Sequence, residues 1–308
     1  MGRNCKIIAT YMGHRNRYPN NSIDTIEVTK DYIEHEKNID PGVDNLDIII
    51  VNHDCGDKLG NNYLDSLDGI DVYCGKVRVI HRPWGGGIGM SVKSHDYTFK
   101  QLRDQYDYWF FQEDDYKVCL DGYYGDGVEI LSKNKDVGFV SYDGPYTNNN
   151  IKEDWLTIYF ARIVLWLCGF NKYYDKYVSV IRSCNDISER GYIPYADGGL
   201  GISTTKILDK VVKLNGSLPH HEGEQPKYYD CSLKVRCNKV KHMWYSLNNI
   251  PYYLWYWLNF VLGEMGFTRI YYDVGLRITQ HPTVDGKIYS YSAGEFKWTK
   301  EEYIKNRN

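Results

Sequence analysis

The 308-residue chain has eight cysteines, at 5, 55, 74, 119, 168, 184, 231 and 237, but no CxxC pair and no His/Cys spacing of zinc type. That excludes a zinc ribbon or a dithiol redox motif. The opening "MGRNCKIIAT" lacks a long apolar stretch, so a cytoplasmic protein with free thiols is expected, and the sequons at Asn20 and Asn215 are incidental on that reading. A basic surplus is also missing: 37 Lys+Arg against 40 Asp+Glu leave a net charge of −3, so no strongly basic field advertises nucleic-acid binding and none is expected. No apolar run reaches the roughly 20 residues that span a bilayer. The two longest, "WLTIYFARIVLWLCGF" (155–170) and "YYLWYWLNFVLGEMGF" (252–267), are broken by Arg162, Asn259 and Glu264 and are expected to be buried helices. A membrane-surface contact without spanning stays open. Repeats, low-complexity tracts and Pro/Ser-rich linkers are absent, so a single domain over 1–308 is expected.

What is abundant is aromatic: 30 Tyr and 8 Trp. Flat rings with polar edges suit a sugar site, and a coding bias towards Tyr and Asn accounts for the same numbers. Apolar runs predict strands at 6–12, 46–54, 76–82 and 106–112, with "IIIV" at 48–51 reading as a strand covered on both faces. Helical spacing follows in "SIDTIEVTKDYIEHE", with Ser22 as N-cap, and in "MSVKSHDYTFKQLRDQ" (90–105). Later, "VGFVSYDG" (137–144) reads as a strand and "GGLGISTTKILDKVVKLNG" (198–216) as a short strand entering a helix capped near Thr204 or Thr205. Strand–helix alternation of this kind predicts an α/β fold with a mostly parallel sheet, whose ligands bind beyond the carboxyl ends of the strands.

The fourth strand ends in "YWFFQEDDYKV" (108–118), where aromatics give way to Glu113, Asp114 and Asp115. Three adjacent carboxylates are costly to bury and repel one another, so they are expected where the strand leaves the core, facing water, cations or a charged ligand. Adjacent carboxylates at a strand end suit Mg²⁺ or Mn²⁺, which prefer oxygen ligands. An acidic surface turn is the plain alternative.

Taken in order, "TYMGHRNR" after the first strand, "VNHDCGD" after the second, the glycine-rich "RPWGGGIGMSVKSHDYTF" and "YDYWFFQEDDY" resemble the nucleotide-sugar-dependent glycosyltransferases of GT-A fold, particularly inverting enzymes of the family 2 type. The likeness covers roughly the first 120 residues, with looser support to about residue 240. It implies a GT-A, Rossmann-like sheet flanked by helices. The nucleotide-binding half would be 1–118, and a less regular acceptor-binding half, with a helical C-terminal extension, would be 119–308.

The resemblance further implies that Tyr11 and Arg15, with Arg17 as an alternative, lie beside the donor base and diphosphate. Asp54 (or Asn52) would meet the base, Asp114 the ribose, and Asp115 the metal, with Glu113 able to replace either acid. A C-terminal histidine completes the metal shell in some GT-A enzymes, which points to His281; a core or surface histidine is the plain reading. The family's catalytic base stands in an "ED..L..R" motif, and "YYDCSLKVR" matches it from Asp230, with Leu233 and Arg236 in register and Tyr229 in place of the first acid. An inverting transfer needs such a carboxylate beside the acceptor hydroxyl. Glu222 and Glu224 in "PHHEGEQP" are rivals, and a helix-start acid favoured by the dipole is the structural alternative for Asp230. The expected partners are a UDP-, GDP- or dTDP-sugar and a glycan, glycoprotein or glycolipid acceptor. Two other functions fit the same features: a sugar nucleotidyltransferase, and a carbohydrate- or protein-binding domain without chemistry.

Overall fold

The structure is a computed structural model that describes residues 2–10, 24–54, 56–83, 90–142, 145–146, 155–176, 178–179, 193–194, 196, 200–220, 249–251, 254, 258, 260–282, 286–291 and 294–297. The first half runs β1 (Asn4–Thr10), α1 (Thr25–Asn38), β2 (Asp47–Asp54), α2 (Lys58–Asp65), β3 (Val77–Pro83), α3 (Met90–Leu102) and β4 (Tyr108–Glu113). Next come β5 (Tyr116–Val118), α4 (Tyr123–Lys133), β6 (Val137–Ser141), β7 (Pro145–Tyr146), α5 (Trp155–Leu167) and β8 (Ile193–Pro194). The chain closes with β9 (Gly201–Thr204), α6 (Thr205–Asn215), a π-helical turn (Phe260–Met265), α7 (Gly266–Asp273), β10 (Arg277–Gln280), β11 (Ile288–Ser290) and β12 (Glu295–Lys297).

Seven strands form one sheet in the order β10-β6-β9-β4-β1-β2-β3. Strand β9 is antiparallel to both its neighbours, β4 and β6. The remaining pairings, β1 with β2 and β4, β2 with β3, and β10 with β6, are parallel. This is the mostly parallel α/β sheet that the sequence predicts. Its six parallel strands all end at one edge, at Thr10, Asp54, Pro83, Glu113, Ser141 and Gln280.

Side chains alternating along the central strands feed two cores. On one face Ile8, Ile48, Ile50 and Phe110 pack with Tyr32 and Ile33 of α1, Leu64 of α2 and Tyr123, Tyr124 and Leu131 of α4. On the other, Ile7, Ile49, Trp109 and Phe111 pack with Val92, Phe99 and Leu102 of α3, Leu208 and Val211 of α6, and Phe267 and Tyr271 of α7. Tyrosine abundance serves packing here. Phe110 meets Tyr123 and Tyr142 edge-on, at ring centroids of 5.3 and 4.9 Å.

Helix starts follow capping chemistry, with one correction. Asp24, not Ser22, caps α1, its carboxylate accepting from the Ile26 amide at 2.9 Å. Thr204 caps α6 through its hydroxyl, accepting from the Ile207 amide, as one of the two expected threonines.

At the antiparallel insertion, Gly201 lies so close to β6 that a Cβ would fall 2.3 Å from the Val140 carbonyl oxygen and 2.5 Å from the Phe139 ring. Gly201→Ala is therefore expected to destabilise the chain by about 1–3 kcal/mol through overpacking, read as a lower urea midpoint at unchanged m-value. A midpoint equal to wild type would show that β9 can shift freely.

Candidate functional site

Pairing of β1 with β4 places Ala9 opposite Glu113 at the carboxyl edge. The chain turns there: the Asp114 amide donates to the Ala9 carbonyl at 3.1 Å, and the Thr10 hydroxyl donates to Asp114 Oδ2 at 2.7 Å. The acids thus leave the core at the predicted place, between the two central parallel strands. Their exposure differs from expectation. Asp114 and Asp115 are 3% and 9% exposed, and Glu113 is half-buried. The Thr10 hydroxyl compensates part of the cost of burying Asp114, and a distant segment covers the turn.

That cover is a three-stranded sheet, β12-β11-β5, in which β11 pairs antiparallel with β5 directly after the acids. The Tyr291 amide donates to the Asp115 carbonyl at 2.8 Å. The Tyr291 hydroxyl donates to Asp31 on α1, 260 residues away in sequence, and Lys117 of β5 meets the same carboxylate at 2.6 Å. Burial pushes the Asp31 carboxyl up, but the hydrogen bonds from Lys117 and Tyr291 outweigh it and hold the group below its ordinary value. Lys117 also stands 5.4 Å from the centroids of the Tyr289 and Tyr291 rings. Asp31, Lys117 and Tyr291 had no readable signal, because each acquires its role only when the chain's two ends meet. Thr10 was legible in principle: two residues beyond buried Ile8, it shares a face with the acid that follows β4.

Around the same edge lie other polar groups. Asn52 Nδ2 contacts Asn61 Oδ1 at 2.8 Å and His81 Nδ1 at 3.1 Å, and His81 Nε2 meets Asp65 at 3.0 Å. Asn52 is thereby tied to α2. That helix is capped by Asp57, whose carboxylate accepts from the Leu59 and Gly60 amides. His53 and Arg82, opposite one another on β2 and β3, are both buried at the edge.

His281 follows β10 at this edge, its amide donating to the Ser141 carbonyl at 2.8 Å. Its ring lies over Tyr142, with centroids 4.7 Å apart, and its Nε2 faces Asp126 Oδ2 at 3.6 Å. Burial lowers the imidazole's pKa against the opposing pull of Asp126, which favours the neutral ring. β10 is three strands from β4. At about 4.8 Å per strand this separates the backbones by roughly 14 Å. Among the described residues no group of three or more His, Cys, Asp and Glu is arranged to hold a metal ion.

The rival base carboxylates, Glu222 and Glu224, and Asp230 lie outside the described residues, as do Tyr11, Arg15, Arg17 and the glycines of 84–89. Of Asp54 only the backbone, closing β2, is described. The segment leading to Glu222 is anchored on α3: the Leu218 amide donates to Asp96 Oδ1 at 2.7 Å, and His220 Nδ1 meets the Leu218 carbonyl at 2.7 Å. The described cysteines 5, 74, 119 and 168 are free thiols whose pKa burial raises, Cys74 to about 11. None of them is a ready thiolate nucleophile.

No family model matches the chain, and no curated protein matches it. Among solved structures, it is similar to 4-diphosphocytidyl-2C-methyl-D-erythritol synthase from Anaerococcus prevotii, at 17% identity and a TM-score of 0.30 over 48% of this chain. The match spans 57% of the synthase chain, little more than half its length. It is also similar to mouse xyloside xylosyltransferase 1 in its apo form, at 8% identity and a TM-score of 0.37, covering 91% of this chain and 84% of that one. Likenesses this distant carry no argument about activity.

Proposed function

We propose that the chain is a metal-dependent glycosyltransferase, moving a sugar from a nucleoside-diphosphate sugar to an acceptor hydroxyl with inversion. The observation that carries this reading is the acid turn: Asp114 and Asp115 closing the central strand β4, with Asp114 bound to Thr10 at the exit of β1. Ligands in parallel α/β sheets lie beyond such an edge. Glu113, Asp114 and Asp115 offer oxygen atoms alone, the donor set of Mn²⁺ or Mg²⁺, and diphosphate oxygens and water would complete the coordination. When bound, the cation neutralises charge on the departing diphosphate.

The roles of this chain's own residues follow the sequence resemblance. Asp115, with Glu113, would hold the cation, and His281 would join them only by reaching across from β10. Asp114 would orient the ribose, its carboxylate kept in place by Thr10. Tyr11, Arg15 or Arg17, and Asp54 would contact the base and diphosphate. Asp230, ahead of Glu222 and Glu224, would take the acceptor's proton as its oxygen attacks the anomeric carbon.

Thermal denaturation with UDP, GDP and dTDP, each with and without Mn²⁺, tests this. One nucleotide is expected to raise the melting temperature only when Mn²⁺ is present, since about 2.7 kcal/mol accrues at a ligand concentration near 100 Kd. Stabilisation by none of them, with or without metal, would overturn the enzyme reading in favour of a binding domain.

A further inference from the structure

Between β6 and β9 the chain leaves and rejoins the sheet at one place, because Ser141, the last residue of β6, pairs with Gly201, the first of β9. Whatever this excursion carries is therefore launched from the carboxyl edge, on the side of the acid turn. It carries α5 and a short helical stretch at 171–176, and the C-terminal part of α5 has an apolar stripe turned outward. Ile163, Trp166 and Leu167 are 39%, 63% and 68% exposed, at the i, i+3, i+4 spacing of a single helix face. Leu165 of α5 and Phe170 just beyond it are buried instead.

The margins of the stripe are cationic and aromatic. Arg162, Lys172 and Lys176 are exposed, against one exposed acid, Asp175, in the stretch 161–176. Lys172 Nζ stands 4.9 Å from the centroid of the Tyr173 ring, and the Arg162 guanidinium 5.5 Å from that of Tyr174. A short apolar stripe centred on tryptophan, with half-buried tyrosines and basic side chains beside it, has the composition of a helix lying in a lipid interface. Spanning is excluded for α5, whose 13 residues are too few. A second protein fits the patch less well. Three side chains cover a small part of the roughly 800 Å² per partner that a stable interface buries. A lipid surface needs only a few inserted side chains, reinforced by cations at anionic headgroups.

We infer that the end of α5 and the short helical stretch 171–176 after it seat the chain on an anionic lipid surface, with Ile163, Trp166 and Leu167 inserted and Arg162, Lys172 and Lys176 at the headgroups. The inference rests on α5 itself and stands whether or not the acid turn transfers sugar. If both hold, the carboxyl edge works beside a bilayer, and a lipid-linked acceptor is the matching substrate class.

The full chain is to be sedimented with phosphatidylcholine vesicles, with and without about 30% phosphatidylserine. Wild type is expected to bind the anionic vesicles, and binding should fall about ten-fold in Trp166→Glu/Leu167→Glu and, through charge alone, in Lys172→Glu/Lys176→Glu. All four substitutions are at exposed positions, and the lysine pair keeps the test decisive if the apolar pair does not fold. Equal wild-type binding to both vesicle types, or wild-type affinity in a folded variant, would overturn the inference. So would a wild-type dimer by light scattering that Trp166→Glu/Leu167→Glu disperses, since the occupant would then be a second copy. Nucleotide-dependent stabilisation of the same variants, measured in parallel, separates failure of this surface from failure of the site.

Discussion

Glu36→Ala is expected to destabilise the chain by about 3–5 kcal/mol, the cost of leaving one member of a buried ion pair behind. Lys6 lies mid-sheet on β1 and meets Glu36 of α1 at 2.9 Å, with side-chain exposures of 0% and 2%. The rings of Tyr32, Phe110 and Tyr123 stand around the ammonium at 5.2, 5.2 and 4.6 Å from their centroids and offer it no carboxylate to replace the lost one. Burial already holds the Lys6 pKa below its ordinary 10.5, with Glu36 opposing that shift. A lysine depressed in the folded state binds fewer protons there than when unfolded, so stability rises with pH between the folded value and 10.5. Without Glu36 that window extends to lower pH, and the variant's deficit against wild type should shrink as pH climbs through it. The double variant Lys6→Met/Glu36→Leu is expected to recover most of the loss, because it removes both charges. Urea midpoints of the three chains at neutral and alkaline pH decide the matter; a single-variant loss under about 1 kcal/mol would mean the pair contributes as little as a surface ion pair.

Nothing in the sequence around Lys6 or Glu36 announces this pair. "KIIATYM" reads as an apolar strand, and its residues 6–10 do lie in β1, Tyr11 and Met12 being outside the described residues, but nothing local says that the lysine points inward to a glutamate one helix away. The runs "IIIV" and "WFF" were legible because burial on both faces demands continuous apolar chemistry, whatever the partners. Helix α4 was not legible: "YYGDGVEILSK" contains two glycines, which disfavour a helix interior. Packing decides it. A Cβ on Gly127 would fall 2.6 Å from both Ile202 and the Tyr142 hydroxyl, so the residue's absence of a side chain is what lets α4 lie on the sheet. Strands β5, β11 and β12 are three residues each, too short for periodicity to register, and they form by pairing the acid turn with the chain's far end. The same pairing explains the candidate site. The acids' place at the end of β4 followed from the apolar run before them, whereas their burial required Tyr291 and β11. Of the two long apolar runs, α7 and the π-helical turn bury Leu262, Met265 and Phe267 as expected, while α5 turns Trp166 and Leu167 outward.

Asp115→Asn is expected to abolish Mn²⁺-dependent nucleotide binding and to lower turnover by about 10²–10³-fold, the range seen when one charge-stabilising group is removed from an active site. Asparagine matches aspartate in shape, and the Tyr291 amide donates to the main-chain carbonyl of residue 115, a contact that the substitution keeps. The fold should therefore be unaffected, with a melting temperature close to wild type in the absence of ligand. Asp114→Asn is the informative comparison. Its oxygen can still accept from the Thr10 hydroxyl, and its expected role is towards the ribose, so nucleotide affinity should fall alike with and without Mn²⁺. Glu113, one residue earlier and half-buried as the last residue of β4, tests the register of the motif. If Glu113→Gln loses the metal dependence and Asp115→Asn retains it, the cation belongs to the first acid of the three. Calorimetric titration of the stabilising nucleotide into the three variants distinguishes these outcomes. Unchanged affinity and unchanged metal dependence in all three would leave the acid turn a structural device, held by Thr10 and Tyr291 for the sake of the β4–β5 junction alone.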